Sequence, residues 1–564
     1  MSKSFGIVAV FIIVASTLIG GALGKRLLPL RAGDRSTDAI QRIEEDYREA
    51  LNIISANYAG EIDYERLNQT SIQGMLLTLD PHSNFFTRAE FQRLREDQES
   101  RFYGIGISIL RHRDGVYVQS VVEGTPAARA GLRYGDRILE VDGQDARDWS
   151  TEQASRKIRG ERGEPVTLKI ERAGEQAPLY LTIVRDAVPL PSIRLAFMIR
   201  PGIGYIGLTG GFTHTSADEL RRAIADLKRQ GMRQLILDLR NNPGGLLEQA
   251  IGVAGQFLDY GQVIVSVRGR EYPEPKVYRN YERDPEQMPL VVLINRGSAS
   301  ASEIVAGAIQ DHGRGLIVGE TSFGKGLVQR VFQLPFGTGL TLTTAKYYTP
   351  YGRLIQRQYT SGSFYDYYTR RGANEMNSGP QTSRPGSPTI AAPEATPRPS
   401  PTGPAIRTAG GRLFYGGGGI TPDIEVKPIE IDTPLRGRIF EAAFYFTRQL
   451  VAGQIQGLES YRIEKVQFNH VPRPTDYPVT EKVLEAFREF LQRSPEFGVK
   501  PAQVDADLEF VKLRLRDEII TAAYGSEAGT RVLLESDPQL LRAIEALPEA
   551  KRLAEAVRRG ESIG

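Results

Sequence analysis

Three serines fall within five residues in "INRGSASASEIVAG" (294–307): Ser298, Ser300 and Ser302. A serine hydroxyl is a weak nucleophile near neutral pH unless a base takes its proton. Histidine is the usual base, and the chain has only five: His82, His112, His214, His312 and His470. His312 stands twelve residues beyond Ser300, at the far end of the helix predicted between them. A helix of that length spans roughly 18 Å at 1.5 Å per residue, too far to reach back. His82 and His112 fall in other domains, and each histidine reads as a surface or capping residue.

Lysine is the other base to consider. "GETSFGKGLVQRVFQL" (319–334) sets Lys325 between two glycines in an apolar stretch. Burial there disfavours the ammonium form and lowers the pKa from about 10.4, and a neutral amine can then accept a proton. Gln329 follows four residues later. That interval puts the two side chains on one face of a strand or of a helix. A glutamine can orient the amine by a hydrogen bond without adding charge. On residue types alone, Lys325 reads equally as such a base or as one of many surface lysines.

The elements that must position these groups alternate. From Pro189 to about Arg357, "GIGYIGL", "QLILDLR" and "PLVVLIN" read as strands, and "SADELRRAIADLKRQG", "LLEQAIGVAGQFL" and "ASEIVAGAIQDHG" as helices, an α/β order. Before it, residues 102–187 carry a period of two, in "VYVQSVV", "RILEVDG" and "VTLKIER", with Gly-rich turns and a short helix in "TEQASRKIRG". Residues 31–101 read as helical, with Ile40, Ile43, Tyr47, Leu51 and Ile54 on one stripe, and "LDPHSNFFTRAEF" as a helix end, a turn and a new helix capped by Thr87. Residues 360–415, rich in Pro, Ser, Thr and Gly, cannot bury enough apolar surface to offset their ordering and read as a disordered insert. Residues 416–432 return to the α/β core, and residues 433–564 read as a helical packing or oligomerisation region, with a helix start at Asp537-Pro538.

Composition narrows the function classes. The chain has 564 residues, enough for three or four units, and is 40% hydrophobic and 25% charged. A net charge of +3 from 71 basic and 68 acidic residues argues against nucleic acid as a partner. There are no cysteines, which excludes thiol catalysis, thiolate metal sites and disulfides. "FGIVAVFIIVASTLIGGALG" (5–24) is uncharged and follows Lys3. Twenty helical residues span about 30 Å, one bilayer core. The segment (residues 1–30) fits a signal peptide ending near Ala22-Leu23-Gly24 or an uncleaved membrane anchor, and its length favours the anchor. Either way the remainder is expected outside the cytoplasm, periplasmic or otherwise extracytoplasmic.

"RFYGIGISILRHRDGVYVQSVVEGTPAARAGLRYGDRILEVDG" (101–143) holds Gly104, Ile105, Gly106 and Ile107 in a Gly-interrupted turn that runs into a strand. Successive N–H groups in such a turn can converge on a carboxylate, and the strand edge can pair with an extended peptide. The stretch resembles a PDZ domain. The resemblance implies that a peptide C-terminus binds at Gly104–Gly106, with an apolar side chain between Ile107 and the 151–160 helix.

"GSASASEIVAGAIQDHGRGLIVGETSFGKGLVQ", with "LDLRNNPGG" upstream and "ITPDIEV" downstream, resembles the C-terminal processing peptidases, PDZ-bearing serine endopeptidases. The match runs from about residue 40 to 430. It implies a multidomain α/β protein: a crotonase-like α/β protease core preceded by a β-rich PDZ domain, with helical N- and C-terminal regions. It makes Ser300 the nucleophile, Lys325 the base and Gln329 the residue that positions it, with Asp311 in a supporting role and no cofactor or metal. Ser298 and Ser302 become turn and capping residues. An oxyanion needs N–H donors, which Ala301 at the helix N-terminus and Gly245 in "NNPGG" would supply. Substrates would be exported proteins and peptides gripped by their C-termini. An unoccupied PDZ domain would cover the cleft, with Arg159 or Arg162 pairing with the protease domain. The family usually lacks the 360–415 insert. Three rival readings are a Ser-His-Asp protease, whose serine would stand where "NNPGG" has Pro243, a crotonase-type acyl-CoA enzyme, and a membrane-tethered PDZ scaffold with an inactive core.

Overall fold

The computed structural model describes residues 34–98, 101–357, 403–431 and 433–561. The apolar N-terminal run and most of the Pro-, Ser- and Thr-rich insert lie outside the described residues. Among the described residues, no helix is long and apolar enough to cross a membrane. The chain forms two compact units, residues 1–75 and 76–564. The first holds the helix Asp34–Asn57 and most of the helix Tyr64–Leu77; Ile40, Ile43 and Tyr47 of the expected stripe are exposed.

The larger unit is built on a six-stranded sheet, in the order Ile193–Arg200, Ile203–Leu208, Gln234–Asp238, Leu290–Ile294, Leu316–Gly319, Ile424–Glu425. Its first pair is antiparallel and every later pair parallel. Sheets of this kind are buried on both faces and read as continuous apolar runs, as "LVVLI" does. The helices Ser216–Arg229, Leu247–Gly255 and Ala301–Asp311 cover one face. The other is covered by the helix Pro538–Arg558, whose Leu540, Ala543, Leu547, Ala550 and Leu553 recur at helical spacing against Tyr205, Ile236, Val291, Leu293 and Val318.

A second, antiparallel sheet carries the strand Leu327–Gln333 along one edge of the long strand Gly339–Tyr348. The short strand Asn84–Phe86 pairs with that long strand too, Phe86 opposite Gly339 and Asn84 opposite Thr341. The helical region expected over residues 31–101 is interrupted by this strand and resumes, as expected, in the helix Arg88–Gln98, where the Thr87 hydroxyl donates to Glu90 Oε2 at 2.8 Å and the Glu90 N–H meets Thr87 Oγ1 at 3.4 Å. Cross-strand pairing draws residues 80–91 into the α/β core, where His82, at 6% exposure, is a buried residue and not a surface one.

The β-rich domain has the strand order Ile107–His112, Gly115–Val121, Arg137–Val141, Pro165–Glu171, Leu179–Val184, with the helix Thr151–Ile158 held by a Ser150/Gln153 capping box. Its entry and exit strands, Arg101–Gly104 and Asp186–Pro189, pair with each other. Arg159 stacks over Phe102 and Arg162 bonds Asp186 at 2.8 Å, so both arginines pair at this junction and not with the α/β core.

Two further expectations are corrected. Disorder through residue 415 fails at its C-terminal end. Ala405–Arg407 and Leu413–Tyr415 form a hairpin turned at Gly410 and Gly411, and Arg412 ties it to Asp423 at 2.8 Å and to the Gln310 carbonyl. The turn chemistry and one half-buried ion pair order a segment that composition counts as low-complexity. His112 is buried as well: its ring stacks on Phe444 of the helix Pro434–Val451 at 3.8 Å, where the C-terminal helices pack against the β-rich domain. Arg113–Glu441, Arg448–Glu171 and Tyr134–Glu518 bonds ring that contact.

Candidate active site

Ser300 sits between the buried strand Leu290–Ile294 and the helix Ala301–Asp311, with φ 56° and ψ −113°. A non-glycine residue at positive φ is strained, and such strain gathers where a side chain must be presented at a sharp strand-to-helix turn. Its neighbours hold the turn. Ser298 Oγ donates to the Leu239 carbonyl at 2.8 Å, Ser302 Oγ to the Asn242 carbonyl at 3.0 Å, and both serines are fully buried. They staple the Ser300 turn to the "RNNPGG" segment.

That segment is organised by Asn242. Its Oδ1 accepts the Gly244 N–H at 2.9 Å and its Nδ2 donates to the Leu208 carbonyl. Gly244 passes so close to Ser300 that a Cβ there would lie 2.7 Å from the serine Cβ, and a Cβ on Gly245 would strike the Phe212 carbonyl at 2.2 Å. With the Gly244 N–H taken, the N–H groups of Gly245 and Ala301 have no hydrogen-bond acceptor among the described residues. Upstream, half-buried Arg240 bonds Asp238 at 2.7 Å and Asp537, the N-cap of the terminal helix, at 2.5 Å.

Lys325 precedes the strand Leu327–Gln333, and a bulge between Val328 and Gln329 re-aims the strand. Lys325 Nζ donates to Gln329 Oε1 at 2.9 Å, and Gln329 Nε2 donates to the His82 carbonyl. Burial pulls the Lys325 amine below its usual pKa, against the opposing charges of Glu303 and Asp80. His82 is lowered to about 4, first by burial and then by the Lys325 charge.

Glu303 joins the two halves of the site. It is 1% exposed. Its Oε2 accepts the backbone N–H of Ser300 at 2.8 Å and of Lys325 at 2.9 Å, so both nitrogens rest on one atom. Its Oε1 accepts the Gly324 N–H at 2.7 Å and the Ser322 hydroxyl at 2.5 Å. Burial raises the carboxyl pKa and these donors oppose the rise. The Tyr347 hydroxyl meets the carbonyls of both Ser300, at 3.0 Å, and Lys325.

Asp311 pairs with fully buried Arg353 at 2.5 Å and accepts the Tyr351 N–H at 3.1 Å. The loop they brace returns Gln356 Oε1 to the Gly326 N–H at 2.8 Å and the Arg357 N–H to the Gly324 carbonyl at 2.8 Å, pinning both glycines beside Lys325. His312 caps its helix, its ring bonded to the Val263 carbonyl at 2.7 Å. Glu303, Asp80 and Tyr347 escaped the reading of the sequence. A signal for Glu303 was there: Ser-x-x-Glu before an apolar run is a capping-box pattern. In the β-rich domain, Ile105 is 1% exposed, Gly106 (φ 85°) lies against Thr125, and Gly104 pairs with Asp186, which leaves Ile107 to open the strand that faces the helix Thr151–Ile158. Among the described residues, no group of three or more His, Asp or Glu side chains is arranged to hold a metal ion.

Comparison with known proteins agrees with this architecture. The model of Peptidase family S41 matches residues 202–364, and that of the PDZ domain residues 117–172. A carboxy-terminal-processing protease of Bartonella bacilliformis is 40% identical over 308 residues, which cover 54% of this chain and 70% of that protein. The carboxy-terminal processing protease CtpA of Bacillus subtilis is 33% identical over 357 residues, 63% of this chain and 75% of that one. Among solved structures, the photosystem II D1 C-terminal processing protease is 31% identical, with 54% of this chain and 82% of that chain covered at a TM-score of 0.32. The chain belongs to the carboxy-terminal processing proteases of Peptidase family S41, serine peptidases that carry a PDZ domain.

Proposed function

We propose that the protein is an exported endopeptidase that grips its substrates by their C-termini and cleaves them with a Ser300–Lys325 dyad. The observation that carries the reading is the Lys325 amine, half-buried, lowered in pKa by desolvation and bonded to the neutral acceptor Gln329. A neutral amine donating one N–H to Gln329 keeps its lone pair for the Ser300 proton. Ser300 Oγ then attacks the substrate carbonyl carbon and its proton passes to Lys325 Nζ. The N–H groups of Ala301 and Gly245 receive the oxyanion; the first is at a helix N-terminus, where the dipole favours negative charge. The Lys325 ammonium returns its proton to the leaving amine. Water, deprotonated by the same amine, releases the acyl group. Asp311 supports the site through Arg353 and its loop.

The substrate's terminal carboxylate would bind at the turn Gly104–Gly106, with the chain added to the Ile107–His112 strand. The match of residues 117–172 to the PDZ domain model supports this role. Location outside the cytoplasm, by signal peptide or membrane anchor, rests on the apolar run 5–24.

The test is turnover of an unfolded protein with a free apolar C-terminus, followed by mass spectrometry, in the parent and in Ser300→Ala, Lys325→Ala and His312→Ala. Loss in the first two and retention in the third is expected. Turnover retained by well-folded Lys325→Ala would refute the dyad, and a parent that binds the C-terminus without cutting would favour an inactive scaffold. Amidating the substrate C-terminus should weaken its cleavage.

A further inference from the structure

Asp80 lies 6% exposed at the turn that leads into the strand Asn84–Phe86. Its Oδ1 accepts the N–H of His82 at 2.8 Å and of Ser83 at 2.9 Å, and its Oδ2 accepts the Ser83 hydroxyl at 2.8 Å. The Ser83 hydroxyl in turn accepts the Thr343 N–H at 3.2 Å, which ties the turn to the long strand Gly339–Tyr348. With its N–H folded back onto Asp80, His82 turns its carbonyl to Gln329 Nε2.

A carbonyl oxygen only accepts, so the Gln329 amide must present its NH2 to His82 and its Oε1 to Lys325. The direction decides the chemistry. With Oε1 toward the amine, Lys325 donates an N–H and its lone pair stays free. Turned over, the amide NH2 would donate to that lone pair and compete with the serine proton. We propose that Asp80 is a positioning residue for the base: it shapes the turn whose carbonyl holds Gln329 in the one orientation that leaves the Lys325 lone pair available. This rests on the Ser300–Lys325 reading above.

The charged groups that face Lys325 are the carboxylates of Glu303 and Asp80, both of which favour the ammonium. The His82 ring, lowered to about 4, is neutral at neutral pH. Two substitutions at Asp80 therefore part the geometric role from the electrostatic one. Asparagine keeps an Oδ1 for both N–H groups and a polar partner for Ser83, but removes the charge. Alanine removes the turn.

The experiment measures kcat, KM and their pH dependence on a peptide substrate with the full chain, in the parent, Asp80→Asn, Asp80→Ala, Lys325→Ala and Ser300→Ala, with thermal melts of each. Asp80→Ala should lose kcat by about tenfold or more, the equivalent of one lost orienting hydrogen bond, with KM within about twofold. Asp80→Asn should keep the alkaline plateau of kcat, and its acid limb should move to lower pH, because one of the two charges that favour the ammonium is gone. Parent-like kcat and acid limb in Asp80→Ala, or an Asp80→Asn impaired in step with a lowered melting temperature and with an unmoved acid limb, would overturn the proposal. Turnover retained by Lys325→Ala or Ser300→Ala would refute the dyad and this inference with it; loss in both beside an unaffected Asp80→Ala would refute this inference alone.

Discussion

Replacing Gln329 by glutamate keeps the shape of the side chain and places a negative charge 2.9 Å from the Lys325 amine. Coulomb's law at that distance yields about 1.4 kcal/mol with the dielectric of water and about 5.7 kcal/mol at an effective value of 20. Both side chains are half-buried, so the Lys325 pKa should rise by roughly one to four, with each tenfold change in proton affinity equivalent to about 1.36 kcal/mol. The sign follows from the role of the base. In the proposed dyad Lys325 acts unprotonated, burial holds its pKa below 10.5, and a higher pKa moves the acid limb of kcat/KM to higher pH. Below that limb the variant should lose about tenfold for every whole pH step by which the limb moves, and the loss should shrink as the pH is raised. Glutamate also lacks the N–H that meets the His82 carbonyl, so full recovery is not expected at the plateau. Gln329→Met, which removes the amide without adding charge, separates the two effects: it should lose kcat without the alkaline displacement. The assay is kcat/KM for a small peptide from acid to alkaline pH. A Gln329→Glu profile superimposable on that of the parent would show that Lys325 is not the titrating base or that Gln329 is not its neighbour.

Glu303→Gln should lower kcat/KM by about a hundredfold, because an amide NH2 in either orientation faces two donors that now meet a carboxylate oxygen, at about 1.5–3 kcal/mol each; steady-state kinetics at saturating and sub-saturating peptide would check it. Lys325→Met should be inactive yet more heat-stable at neutral pH. The depressed pKa means that the folded parent binds fewer protons than the unfolded chain in the window below 10.5, so the parent gains stability as pH rises and the advantage of the variant should shrink toward alkaline pH in thermal melts. Asp311→Ala should destabilise the protein by about 3–5 kcal/mol by stranding the buried Arg353 charge, and adding Arg353→Met should recover much of that in denaturant titrations. Asp537→Asn, which keeps the N-cap but drops the charge on Arg240, should lower kcat more than it lowers the melting temperature; equal losses would make the contact structural only.

The residues proposed to carry the chemistry left local marks in the chain, and resemblance to the C-terminal processing peptidases turned those marks into roles. Ser300 is marked by its small neighbours and the helix that follows, Lys325 by its flanking glycines, Gln329 by its interval of four, and the Gly-rich turn at 104–106 by its approach to a strand. Each of these signals reports backbone within a few residues, which is the range over which periodicity and turn propensity act. What only the tertiary structure decided is how the pieces are held. The pairing of Asn84–Phe86 with Gly339–Thr341 is a matter of sheet register between segments more than 200 residues apart, and it brings the His82 carbonyl to Gln329. The contact of Asp537 with Arg240 spans 297 residues, and follows from the terminal helix lying on the otherwise bare face of the core sheet. Glu303 resolves into a bridge between Ser300 and Lys325 once the folded loop 320–326 returns to the helix N-terminus. His82 and His112 showed no apolar pattern of their own, and their burial comes from partners, Phe444 among them, that no local window contains. Local sequence marked the candidate groups; long-range packing chose their neighbours, because burial and hydrogen-bond partners are properties of the assembled core and not of any stretch of chain.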